Sequence, residues 1–197
     1  MKHFLFAATL LCFSPFQIAL HAKPSAKPVA RPTHFWTLGV HEIGARLIVP
    51  SIYLDAPIVE GIDDPALRVG PGHDSLSDLP GKAGNCVIAA HRNVWGAWFW
   101  HLPRVKVGET IEVRTRTQRQ FYRVTRAQTM SGYDTSVLEP PLDPTITRLT
   151  LYTCTKPKTD NRFVVVADLI RTQPSTARDF QAFSLPQAKP QAFAARR

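Results

Sequence analysis

Between Ala45 and Ile170 the chain is a succession of short apolar runs, rich in β-branched residues and separated by Gly, Pro and Asp. No segment holds a long helical period. Strands this short and this regularly interrupted can bury their apolar faces only in a sandwiched or closed sheet, so the expected class is all-β. ARLIVPSIYL and APIVEG are runs broken by Pro and Asp, and NCVIAAH is continuously apolar, as expected of a strand covered on both faces. TIEVRT alternates, with Ile111 and Val113 on one face and Glu112 and Arg114 on the other; QFYRVTRA, LTLYTC and RFVVVADLI follow. Short helical turns fit Asp63 to Leu67 and Trp95 to His101. Two stretches, Arg68 to Gly84 and Met130 to Arg148, exceed hairpin length and are read as lids, walls or decoration.

The flanks have a different character. Residues 1–22, MKHFLFAATLLCFSPFQIALHA, place Lys2 before an apolar run and read as an export signal or an uncleaved membrane anchor. Bulky Leu10 and Leu11 before Cys12 argue against lipid attachment. Residues 23–42 form a Pro-rich, solvated spacer. One folded domain is expected over 43–172, and 173–197 reads as a Pro/Ala/Arg-rich disordered tail. At 197 residues the chain has room for one real core and hardly for two. Its net charge of +9 suits solubility or an anionic envelope. The lack of a tight basic run or a recognised binding motif speaks against nucleic acid. The expected location is extracytoplasmic, at the membrane face, periplasm or cell envelope.

Beyond the leader stand two cysteines, Cys86 and Cys154. In an exported chain a pair suggests a disulfide, against which the surroundings of Cys154 must be weighed. Alternation in LTLYTC puts Leu149, Leu151 and Thr153 on one face and Thr150, Tyr152 and Cys154 on the other. If LTLYTC and RFVVVADLI pair as an antiparallel hairpin, Cys154 and Arg162 face one another across the loop Thr155 to Asn161. A guanidinium there would lower the thiol pKa and hold a developing oxyanion; otherwise Cys154 is inert and Arg162 a solvated loop-end charge. His91, ending NCVIAAH, is the candidate base or acid that a thiol nucleophile needs. His3 and His21 lie in the leader, His34 and His41 in the spacer, and His73 and His101 suit local structural roles. No Cys/His spacing matches a zinc site. Glu139 and Asp143 in the second long loop could contribute to a calcium site, but two scattered acids of this kind are usually solvated. Neither a metal nor another cofactor is assigned.

These residues stand in segments that resemble the sortase family. TLYTC is similar to its Thr-Leu-any-Thr-Cys signature, GNCVIAAHRN to its Gly-Asn-apolar-His segment, and RFVVVADL to the terminal strand opened by its arginine. GPGHDSLSDLPGKAGN resembles the loop before the histidine strand, particularly in classes D and E. The resemblance runs from about Arg46 to Ile170. It implies an eight-stranded β-barrel and a cysteine transpeptidase, with 43–172 as its catalytic domain. Cys154 would be the nucleophile, His91 the acid/base and Arg162 the oxyanion stabiliser, and Thr153 would line the substrate pocket or turn into the core. The implied substrates are proteins bearing a Leu-Pro-any-Thr-Gly-like motif, cleaved between Thr and Gly. The implied acceptor is an amine of a cell-wall peptide or a pilin lysine. Cys86, where a plain apolar residue would serve, reads as a small core residue; an inhibitory disulfide with Cys154 requires their strands to be adjacent. Two alternatives remain: an exported L,D-transpeptidase-type enzyme, which normally has a Ser-His-Gly-Cys run missing here, and a catalytically idle β-barrel binding protein.

Overall fold

Pro50 divides the first apolar run in two. In the computed structural model, which describes residues 41–155, 160–176 and 179, strand β1 (Glu42–Val49) ends where Pro50–Ile52 form a 3-10 turn. The chain reverses through Tyr53 in a left-handed conformation (φ 56°) and returns as β2 (Leu54–Glu60). Proline lacks the N–H a ladder needs, so it serves here as a corner instead of a strand residue. Helix α1 (Asp64–Val69) follows, its start capped by the Asp63 carboxylate accepting from the Ala66 N–H. The remaining strands are β3 (Gly72–His73), β4 (Gly84–Ala89), β5 (Thr110–Thr115), β6 (Gln118–Met130), β7 (Thr147–Cys154) and β8 (Arg162–Pro174).

These eight strands close into a barrel in the order β1-β2-β3-β4-β7-β8-β6-β5, as the all-β reading expects. Two neighbouring pairs are parallel, β2 with β3 and β4 with β7. The interior is filled by one face of each long strand, including Leu47, Ile58, Cys86, Ile88, Ile111, Tyr122, Leu149, Leu151 and Val165. β4 has a second buried face. Outside the barrel, Asn85 donates to the carbonyls of Val137 and Glu139 and accepts from the Thr150 hydroxyl, while Ser77 Oγ accepts from the Val87 N–H. The two long loops therefore cover β4, which is why its sequence is continuously apolar without alternation. The second loop also seats Val137 on Val164 and Val166.

The helical turn expected over Trp95–His101 does not form; the 3-10 turn lies at Leu102–Arg104. Trp95, Gly96 and Ala97 all have positive φ (47°, 87° and 47°), which a right-handed helix cannot contain. β3 is too short to have left a period-2 signal. His73 in β3 has the local role expected of it: it is buried, with Nδ1 3.1 Å from Glu60 Oε2 and Nε2 3.1 Å from the Asp78 carbonyl oxygen.

The strands run from Glu42 to Pro174, slightly wider than the 43–172 boundaries drawn from sequence. Gln173 and Pro174, assigned to a tail, pair with β6. Ser175 then donates from N to the Thr117 carbonyl and from Oγ to the Thr115 carbonyl. Asp179 lies 3.9 Å from Arg114 and 3.8 Å from Arg119, both of which also pair with Glu112. A fragment ending at residue 172 should therefore melt about 5 °C or more below one spanning 41–180, because it loses at least two hydrogen bonds worth roughly 1 kcal/mol each. Equal melting temperatures for the two fragments would show that this edge contributes nothing. The leader and spacer readings fall on residues 1–40, outside the described part. Among the described residues no helix is long and apolar enough to cross a membrane.

Candidate active site

The β7–β8 hairpin sets the first pair of candidates. In its antiparallel register Thr153 pairs with Phe163 and Cys154 with Arg162. Leu149 and Leu151 face the core, so alternation turns Tyr152 and Cys154 outward; Cys154 is exposed. Across the ladder, the Arg162 guanidinium donates from Nη1 to the carbonyls of Asp160 (3.1 Å) and Asn161 (3.4 Å). Its Nε and Nη2 make no hydrogen bond among the described residues. The fork is thus anchored to the hairpin mouth by one nitrogen and keeps donors for another partner.

The second long loop braces that mouth. Gly132 approaches so closely that a Cβ there would lie 1.9 Å from the Asp160 carbonyl oxygen and 3.6 Å from Arg162 Cζ. Only glycine leaves room for this backbone contact. Tyr133 adds a hydrogen bond from its hydroxyl to Asp160 Oδ2 at 3.1 Å. Between loop and barrel lies a pocket of about 180 Å³, lined in part by Gly132, Leu138, Tyr152, Arg162 and Val164. Burial raises the Tyr152 pKa, with Asp74 adding to the rise and Arg162 opposing it, so its phenol stays protonated at neutral pH.

His91 arrives from β4. Ala89 pairs with Tyr152 in the parallel ladder, and the Ala90 N–H donates to the Tyr152 carbonyl (3.3 Å). The junction therefore continues one residue past the ladder, with Ala90 between Tyr152 and Thr153. Thr153 secures this junction: its side chain is 1% exposed, and its hydroxyl donates to the Ala90 carbonyl at 2.7 Å. Of the two readings for Thr153 the structure gives the inward one, since the hydroxyl that would line a pocket is used to tie β7 to β4. The ends of β4 and β7 and the start of β8 therefore bring His91, Cys154 and Arg162 to one rim of the barrel.

Burial lowers the His91 pKa from its ordinary value; Asp64 opposes the shift and Arg68 adds to it. At neutral pH the imidazole is mainly neutral and able to accept a proton. Asp64 Oδ1 is 3.9 Å from His91 Nε2. Neither α1 nor its charges stood out as site components in the sequence. Asp64 falls inside the helical turn expected from sequence and Arg68 at the start of the long stretch after it, and their approach to His91 has no local signal.

The disulfide reading fails on geometry. The strands of the two cysteines are adjacent, as it required, but Cys86 pairs with Leu149 and faces the core, whereas Cys154 lies five residues further along β7 and faces out. Disulfide geometry needs Cα atoms within about 7 Å and converging Cβ vectors. Both thiols are free, and burial pushes that of Cys86 far up. Cys86 is a small core residue. Among the described residues no three His, Cys, Asp or Glu side chains gather as a metal site. Asp143 Oδ1 accepts from the N–H and hydroxyl of Thr145.

The family model for the Sortase domain matches residues 47–170. Sortase A of Streptococcus agalactiae is 25% identical over 147 residues, covering 70% of this chain and 58% of that protein. Sortase A of Listeria monocytogenes is 28% identical over 131 residues, covering 66% and 58%. The chain thus spans less than two thirds of the length of either. The solved structure of the Listeria protein superposes with a TM-score of 0.64 at 26% identity, covering 72% of this chain and 97% of that one. Similar structures also include sortase E of Streptomyces avermitilis, sortase D5 of Clostridium perfringens and sortase C-1 of Actinomyces oris. That spread supports the family as a whole and does not single out class D or E.

Proposed function

The chain belongs to the sortase family, and from that premise we propose that it is a cysteine transpeptidase acting on the C-terminal sorting motifs of exported proteins. The observation that carries the reading is the ladder pairing of Cys154 with Arg162 at the rim where β4 delivers His91. Membership of the family displaces the L,D-transpeptidase alternative. The idle-barrel alternative is decided by experiment.

In the proposed reaction His91 accepts the Cys154 thiol proton, and the thiolate sulfur attacks the carbonyl carbon of Thr in a Leu-Pro-any-Thr-Gly-like motif. The carbonyl π electrons move to oxygen, where the remaining donors of Arg162, with backbone N–H groups, hold the oxyanion. Collapse reforms the carbonyl and breaks the Thr–Gly C–N bond. The imidazolium of His91 delivers its proton to the departing Gly amine, leaving a thioester. In the second half His91 takes a proton from an incoming amine, whose nitrogen attacks the thioester carbon, and the sulfur leaves. The acceptor class is an amine on a cell-wall peptide or a pilin lysine. The site of action is the extracytoplasmic face of the membrane or the envelope, reached by means of the N-terminal apolar segment. The pocket beneath Gly132 and Leu138 is a natural wall for the motif's apolar residues.

Purified protein incubated with a Leu-Pro-any-Thr-Gly peptide and a glycine-based amine is expected to yield the exchanged product by mass spectrometry, together with a thioester adduct on Cys154. Absence of adduct and product with this peptide and with related motifs, in folded protein, would favour the idle barrel.

A further inference from the structure

We infer that Asp64 is a positioning residue for His91, held in place by a closed ring of contacts that runs from His91 through α1 and back into the loop following His91. Asp64 Oδ2 is bound by Arg68, which donates from Nε at 2.7 Å and approaches with Nη2 at 2.6 Å. The other carboxylate oxygen, Oδ1, faces His91 Nε2 at 3.9 Å. That nitrogen is shielded from solvent and has no hydrogen-bond partner among the described residues. The Arg68 guanidinium in turn stacks over the Trp95 ring at 4.2 Å. Trp95 opens the stretch Trp95–Ala97 with positive φ throughout, a conformation unfavourable for its non-glycine members and one the surroundings must enforce. The Phe99 N–H donates back to the His91 carbonyl at 3.2 Å. Each link explains the next: the strained loop presents Trp95, Trp95 seats Arg68, Arg68 orients Asp64, and Asp64 offers its second oxygen to the imidazole.

The inference rests on the proposed reaction, in which His91 becomes an imidazolium between accepting the thiol proton and releasing it to the amine. A carboxylate at ion-pair distance stabilises that cation and orients the ring, as the third member of a nucleophile–base–acid arrangement does. Arg68 limits the effect, because it faces the same histidine with the opposite charge. Arg92 adjoins His91 in the loop, and the ends of β7 and β8 contribute Cys154 and Arg162 to the same rim.

The two α1 charges predict shifts of opposite sign. Asp64→Asn removes the group that favours the protonated ring, so the His91 midpoint should fall by about half a pH unit, the size expected of one charge at this distance near a surface. Arg68→Gln removes the opposing charge and frees the Asp64 carboxylate, so the midpoint should rise. The test follows the His91 ring proton by NMR titration of the full chain, with the resonance identified by its loss in His91→Gln. Alongside it, kcat/KM is measured on the sorting peptide. Opposite shifts, with Asp64→Asn losing about tenfold in kcat/KM and Asp64→Glu recovering part of it, support the inference. Shifts in the same direction, no shifts, or a lowered midpoint with undiminished turnover overturn it. A wild type that processes no peptide would refute the transpeptidase reading and leave the titration alone to decide whether Asp64 and His91 are paired.

Discussion

Cys154→Ala is expected to abolish both cleavage and transfer while the protein keeps its fold and melting temperature. The thiol is exposed at the end of β7, outside the apolar interior, so removing one sulfur opens no cavity. The chemical loss is complete in kind, since no other described side chain at the rim can form the thioester. Removing the nucleophile of a catalytic unit costs on the order of 10⁶ in kcat. Cys86→Ala is the control: it should leave the adduct-forming step intact and instead cost stability, because its side chain fills the barrel core. Measured turnover in Cys154→Ala near that of the wild type would sink the mechanism.

The second large effect is expected at Arg162. Arg162→Lys keeps the positive charge but replaces a planar fork with a single ammonium. In the structure one nitrogen of the fork is committed to the carbonyls of Asp160 and Asn161. A lysine that satisfies those carbonyls has no second nitrogen with which to meet an oxyanion. Turnover should therefore fall by on the order of 100- to 1000-fold, the cost of one lost oxyanion donor. The rate of Cys154 alkylation by iodoacetamide should fall much less, since the local positive charge survives. Equal losses in both measurements would assign Arg162 to thiolate formation, and near-normal turnover would reduce it to a hairpin-mouth charge.

The Cys154–Arg162 pairing was legible because the hairpin loop is short and the strand on each side has a clear inward face; a slip of one residue would have turned Leu149 and Leu151 out of the core. His91 was legible as the polar end of a continuously apolar strand. Thr153 was not decided by its motif. Only the parallel pairing of β4 with β7 shows that its hydroxyl ties two strand ends together. The tail boundary was misplaced at β8 because Thr172 to Pro174 have no apolar alternation, and their strand form comes from partners in β6. The helix expected at Trp95 failed because the strained turn is dictated by what its side chains meet, such as Arg68, and not by local propensity.

By itself the sequence determined the all-β class, the two faces of β5 and β7, and which candidate side chains stand at the ends of apolar runs. These follow from spacing along a few residues and from the identity of single groups. The tertiary structure alone decided which strands are neighbours. It thereby decided that His91 and Cys154 come to the same rim of the barrel, that Cys86 is sealed in the core, that Gly132 meets the carbonyl of Asp160, and that Asp64 and Arg68 face the imidazole. The reason is physical: a strand's pattern specifies what it must bury but not which edge covers it, and closure of the whole barrel selects the partner.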